Sequence, residues 1–264
     1  MRFKVLLILF IVFSCKKKHD YSVDIIGHAG NGLSISNSIY HANSLQAIEL
    51  ALGTPGVEGV EIDLQLSKDN DLWLYHDMTL DDETNLTGCV SNLNNEILST
   101  AFYKSLHKEK LMQFKNLNFS LYAGKTFYLD IRHYNTCENS FIDINKMISA
   151  LSVEISKWNQ VKFIILTNHY DWLSPLTTAG LKVYYEIENV SDFLNAKANN
   201  IIVDGVISRS TNLSKEEISS IQSENKKVIL FNMRAPKPIR EAMNKFPDGL
   251  IVDDLKVALI EKSK

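Results

Sequence analysis

From Val23 onward, short runs of aliphatic and β-branched residues alternate with stretches of helical periodicity, and no other feature constrains the fold as strongly. The strand candidates are Val23–Gly27, Gly59–Leu66, Thr126–Arg132, Val161–Thr167, Leu181–Ile187, Asp204–Ser208, Lys227–Asn232 and Gly249–Val252. Most are continuous apolar runs rather than alternating ones, the pattern of parallel strands covered on both faces. The helix candidates between them are Asn43–Leu52, Glu96–His107, Ile142–Trp158, Asp171–Ala179, Val190–Ala198, Ser214–Glu224, Pro236–Lys245 and Asp254–Lys262. Ser214 followed by Glu217 is a capping-box start. Eight strands alternating with eight helices predict an α/β fold, a (β/α)8 TIM barrel. Leu72 to Cys89 departs from the alternation and reads as a hairpin and loop inserted after the second strand, with loop continuing from Gly88 to Asn95. No low-complexity linker divides the chain, so residues 23–264 are expected to form one domain.

The N-terminus obeys a different rule. Arg2 and Lys4 precede an apolar run, Val5 to Phe13, that is too short to span a bilayer and fits the core of a secretory signal. It ends in Val12-Phe13-Ser14-Cys15, which resembles a bacterial lipoprotein processing site with Cys15 as the lipidated residue. Residues 1–14 are therefore expected to be a signal peptide and residues 15–22 a tether. The expectation that follows is an exported lipoprotein of the bacterial cell envelope, held at the membrane through acyl chains on Cys15. Cys89 and Cys137 then remain. An oxidising compartment permits a disulfide between them, and a pair of free, partly buried thiols is the equal alternative. The net charge of −3 and the lack of an Arg/Lys stripe with interleaved aromatics argue against a nucleic-acid partner.

The chemistry collects at strand ends, where barrels of this type place their sites. Glu61 and Asp63 are two apart on the second strand and share a face, with Val60, Ile62 and Leu64 turned the other way. Two carboxylates side by side on a buried face repel each other unless a cation or a shared proton lies between them. A hard divalent ion with oxygen ligands, Ca2+ or Mg2+, resolves this most simply. His28 ends the first strand. Asp130 and Arg132 end the third and share a face.

These residues stand in a recognisable frame: His28-Ala29-Gly30, His41-Ala42-Asn43-Ser44, Glu61 and Asp63, His76-Asp77, then Thr79 to Gly88. The frame resembles the glycerophosphodiester phosphodiesterase family, within the phospholipase C-like phosphodiesterase superfamily, most closely from Ile25 to Gly88. The resemblance implies a metal-dependent phosphodiesterase that cleaves glycerophosphodiesters to glycerol 3-phosphate and an alcohol. Glu61, Asp63 and Asp130 would hold the ion, Arg132 would bind the phosphate, and one of His28 and His76 would act as base and the other as acid, an assignment the sequence leaves open. Where the family carries Glu-x-Lys, this chain has Asp130-Ile131-Arg132.

Two departures bear on substrate. Ala29 stands where the family carries an arginine, and Ala42 where it carries an acidic residue. They leave room for a related enzyme acting on another lipid or sugar phosphodiester, or for a catalytically weak lipid-anchored binding barrel. His41, His107, His133 and His169 read as structural or peripheral, and neither Asn232 nor Asp253 reads as catalytic.

Overall fold

A computed structural model describes residues 21–33 and 38–264. The expectations of export and anchoring fall on residues 1–20, outside the described part. Eight parallel strands close into a barrel: β1 (Asp24–Gly27), β2 (Gly59–Leu66), β3 (Thr126–Ile131), β4 (Lys162–Thr167), β5 (Val183–Glu186), β6 (Gly205–Arg209), β7 (Lys227–Met233) and β8 (Gly249–Val252). Each pairs with the next, and β1 closes the ring on both β8 and β2. Among the described residues, seven helices cover the outside: α1 (Leu45–Leu52), α2 (Ile144–Ile155), α3 (Tyr170–Thr178), α4 (Val190–Ala198), α5 (Lys215–Ser223), α6 (Pro236–Met243) and α7 (Leu255–Lys262). The TIM barrel expected from the apolar runs is the fold observed. None of the described helices is long and apolar enough to cross a membrane.

Strand parity sorts the side chains into two cores. Val60, Ile62 and Leu64 of β2 join the layer between barrel and helices. Ile26, Tyr128, Ile164, Leu166, Tyr184, Ile207, Ile229 and Ile251 fill the barrel interior. Continuing that inward parity toward the C-terminal mouth leads from Ile26 to His28, Tyr128 to Asp130, Tyr184 to Glu186, and Ile251 to Asp253. The interior apolar layers thus end in polar groups on four strands.

Between β2 and β3 the chain forms the expected insertion. Leu72–Leu74 pairs antiparallel with β2 and then with Met112–Gln113. It has a small core of its own, including Trp73, Tyr75, Leu80, Leu98 and Tyr103. The helix expected over Glu96–His107 is not there; only Asn95–Leu98 is helical. Beyond it, antiparallel bridges link Thr84 to Tyr103 and Phe102 to Lys110. Ala101 and Tyr103 are buried on either side of a more exposed Phe102, an alternation of two that overrides the local helical preference. Cys89 and Cys137 are bonded to each other, tying this insertion to the segment that follows β3. Tyr21, the first described residue, is buried and donates to Asn244 Oδ1 at 2.6 Å.

Candidate active site

The first loop is built around His28. Its N–H donates to Val252 O at 3.1 Å, continuing the β1–β8 register and setting His28 beside Asp253. A tight turn follows, with Ala29 at φ +47° and Gly30 at φ +91°. A Cβ on Gly30 would lie 2.9 Å from the backbone of Ala47, so the turn packs directly on α1. The turn aims the Ala29 N–H at Glu61 Oε2, 2.8 Å away. His28 Nδ1 bonds Asp253 Oδ1 at 2.7 Å, and its Nε2 lies 3.9 Å from Glu61 Oε2.

His41-Ala42-Asn43-Ser44 has a structural explanation. Ser44 caps α1 through the N–H of Ala47. Asn43 adopts φ +60° and grips β2 reciprocally: its Nδ2 donates to Asp63 Oδ2 at 2.7 Å, and its Oδ1 accepts from the Asp63 N–H at 3.0 Å.

Glu61, Asp63 and Asp130 converge. One oxygen from each lies within 4.8 Å of the others. Asp63 and Asp130 are direct register partners across β2 and β3. Arg132 pairs closely with Asp63 and lies 3.4 Å from Asp130. Burial, reinforced by the charges of Asp63 and Asp130, pushes the Glu61 carboxyl well above its usual range. Burial would raise Asp63 too, but Arg132, His76 and Asn43 hold it below. Asp130 is raised, mainly by burial and by Asp63, against the opposing field of Arg132. Three carboxyls thus crowd around one guanidinium, and two of them hold their protons more tightly than usual because no further cation is present to share the charge. An all-oxygen donor set of this kind fits a hard divalent ion. The Arg132 Nε is buried and has no hydrogen-bond partner among the described residues.

His76 comes from the insertion, directly after Tyr75, whose N–H bonds Asp63 O at 3.1 Å. Its Nδ1 bonds Asp77 Oδ1 at 2.6 Å. Both His28 and His76 stand close enough to Asp63 and Asp130 to favour their charged forms. The structure thus brings together all six residues picked out from sequence: His28, Glu61, Asp63, His76, Asp130 and Arg132.

Other groups complete the mouth. Asp253 takes the N–H of Leu33 on the oxygen that His28 uses, and Arg234 Nε on the other at 3.2 Å. Although the sequence reading set Asp253 apart from the chemistry, it is bonded to His28. Glu186 ends β5 and lines a cavity of about 60 Å3 together with His28, Glu61 and Asp130. Burial and the charge of Asp130 push its carboxyl up to about 7. A lone carboxylate in the apolar run Leu181–Ile187 was the signal that could have found it. His41 stacks on Tyr103, His107 lies against Tyr40, and His133 and His169 meet each other beside Trp172. A larger cavity of about 480 Å3 opens between the first loop and the insertion, over Tyr40, His41 and Glu83. It lacks the carboxylate cluster, two members of which, Glu61 and Asp130, line the smaller one.

Comparison with known proteins places this fold among those of one enzyme family. A glycerophosphodiester phosphodiesterase from Bacillus altitudinis is 22% identical over 242 residues, 85% of this chain and 95% of that protein. An Oleispira antarctica phosphodiesterase, solved in complex with the product sn-glycerol-3-phosphate, superposes with a TM-score of 0.77 at 17% identity, covering 91% of this chain and 97% of that one. A glycerophosphodiester phosphodiesterase from Thermotoga maritima superposes with a TM-score of 0.72 at 20% identity, covering 93% of this chain and 100% of that one. The sequence profile of one family matches residues 28–257, nearly the whole barrel, and the chain belongs to that family, the glycerophosphoryl diester phosphodiesterases.

Proposed function

We propose that this protein hydrolyses glycerophosphodiesters to glycerol 3-phosphate and an alcohol, using His28 and His76 as a proton-transfer pair beside a divalent cation. The observation that carries the reading is the matched placement of the two imidazoles. Each has Nδ1 on a carboxylate, Asp253 or Asp77, and both flank one acidic cluster. A carboxylate on Nδ1 selects the Nδ1–H tautomer and leaves Nε2 to exchange protons with substrate.

Glu61, Asp63 and Asp130 are the residues that would hold the cation, Ca2+ or Mg2+. When bound, such an ion supplies Lewis-acid neutralisation of phosphoryl charge. Arg132 offers its unpartnered Nε to a phosphoryl oxygen. His28 Nε2 removes the proton from the attacking hydroxyl, which is water or the glycerol 2-hydroxyl. As the new bond from the attacking oxygen to phosphorus forms, the bond between phosphorus and the alcohol oxygen breaks, and protonated His76 gives its Nε2 proton to the departing alkoxide; where the 2-hydroxyl attacks, water then opens the cyclic phosphate with the two histidines in reversed roles. The buried Asp253 makes His28 the better-fixed of the two, which suits the base. His76 is more exposed, which suits the group facing the leaving alcohol.

The test is a leaving-group comparison. His28→Ala and His76→Ala should each lower kcat on a glycerophosphodiester by roughly 10²–10⁴. A nitrophenyl diester needs no proton on departure and should rescue His76→Ala alone. Rescue of both variants, or of neither, sinks the assignment.

We further propose that the chain is exported and anchored through a lipidated Cys15. The Cys89–Cys137 bond supports an oxidising compartment. Cys15→Ser should move the protein from membranes to the soluble exported fraction. A variant still firmly bound to membrane would refute the anchor.

A further inference from the structure

We propose that Arg234 is the second phosphate-binding cation of this enzyme, reaching the substrate from the end of β7. The proposal takes its substrate class from the reading above, but its geometry stands independently.

The mouth of the barrel is rich in carboxylates: Glu61, Asp63, Asp130, Glu186 and Asp253. A phosphodiester is itself an anion, so an uncommitted cation is needed to draw it in. Arg132 contributes, but Asp63 and Asp130 already offset its charge. Arg209 lies over the ring of Phe231, 5.5 Å from its centroid. The first loop offers no cation, because Ala29 presents only a fully buried methyl. Arg234 remains. Its side chain is 59% exposed, and its one ion pair among the described residues, to Asp253, uses Nε rather than the terminal nitrogens.

The backbone delivers it there. Register between β7 and β8 shifts between Leu230 and Met233, and Asn232 adopts φ +67° within that shift. A bulge of this kind re-aims the side chains that follow it. The result is a chain of contacts in which Asp253 holds Arg234 on one oxygen and His28 on the other. The terminal nitrogens of Arg234 therefore stand one carboxylate away from the imidazole that deprotonates the nucleophile. Arg132 stands at the end of β3 and Arg234 at the end of β7, and the guanidinium of Arg234 is the more exposed of the two.

The experiment uses the full chain with Mg2+ and compares wild type with Arg234→Ala, Arg234→Gln and Arg234→Lys. Calorimetry reads the affinity for glycerol 3-phosphate and for inorganic phosphate, and kinetics read kcat and KM on a glycerophosphodiester. Loss of a charge-assisted contact should weaken both ligands by roughly tenfold to a hundredfold in the Ala and Gln variants. KM should rise by a similar factor, the melting temperature should hold, and Arg234→Lys should recover part of the loss as a point charge. Unchanged ligand affinity in Arg234→Ala overturns the proposal. So does a fall in kcat with KM and ligand affinity intact, since Arg234 would then act only on His28 through Asp253. Arg234-dependent phosphate binding without turnover of glycerophosphodiesters would sink the assigned activity and leave this binding role standing.

Discussion

Asp253 Oδ1 lies 2.7 Å from His28 Nδ1, joining the end of β8 to the end of β1 through a single hydrogen bond. Burial would raise the Asp253 carboxyl, but the bond from His28 holds it below its usual value, so it stays an ionised acceptor. Asp253→Asn should reverse this. The amide can donate to Nδ1, which then carries no proton, and Nε2 loses its role as a base. We expect kcat to fall by roughly 10²–10⁴ with little change in KM. Ring-nitrogen NMR should show the tautomer change directly. A variant that keeps both kcat and the wild-type tautomer would remove Asp253 from the mechanism.

Glu61 makes cation binding depend on pH. Burial and the charges of Asp63 and Asp130 raise its carboxyl, so the metal-free protein retains a proton that a bound ion must displace. Titration with Mg2+ in buffers of different ionisation enthalpy should report release of about one proton at mildly acidic pH, fading as pH rises through the raised value. Glu61→Gln should reduce the release to what Asp130 contributes and weaken the ion. A proton count of zero in the wild type would contradict the cluster described above.

Arg132 is the cation that stabilises the cluster when no metal is present. Arg132→Ala leaves Asp63 and Asp130 without their nearest positive partner. In the presence of chelator this should cost about 3–5 kcal/mol, the scale for stripping one partner from a buried ion pair. A saturating divalent ion should restore more stability to the variant than it adds to the wild type. Equal losses with and without the ion would show that the cation does not occupy this cluster.

Glu186 gives a second pH signature. Its carboxyl is pushed up to about 7, first by burial and then by Asp130. A raised carboxyl binds its proton more tightly in the folded state than in the unfolded one. Its ionisation therefore costs stability progressively from its ordinary value, near 4.5, up to about 7, and by a constant amount above. In chelator, Glu186→Gln should match the wild type near pH 4 and exceed it above pH 7, by at most about 3 kcal/mol. Denaturation curves that stay parallel across that range would refute the shift.

The disulfide ties the segment carrying His76 to the segment behind Arg132. It closes a loop spanning 48 residues of sequence separation. Cys89→Ser/Cys137→Ser should lower stability by about 2–4 kcal/mol. It should also reduce kcat more than it raises KM, because His76 loses a restraint on its loop. A double variant with wild-type melting temperature and kcat would leave the bond without either role.

The sequence by itself determined the barrel. Apolar runs such as Phe163 to Leu166 and Val228 to Leu230 bury on both faces wherever they pair, and only a parallel sheet sheathed in helices satisfies that repeatedly. It also determined which chemistry collects at the mouth, because a spacing of two on β2 forces Glu61 and Asp63 onto one face whatever surrounds them. Tertiary structure decided the partners. Asp253 is 225 residues from His28, and only the closure of β1 on β8 brings them together. Asn43 reaches Asp63 because the chain turns through a left-handed residue before α1, a conformation its neighbours do not demand. Tertiary packing also overrode the helix expected over Glu96–His107, where burial of Ala101 and Tyr103 in the insertion outweighed local propensity. The Cys89–Cys137 pairing, left open by the sequence, was settled by the same packing, which brings the insertion against the segment after β3. Periodicity acts between near neighbours in the chain and can be read from it. Pairings between distant residues depend on closure of the whole barrel.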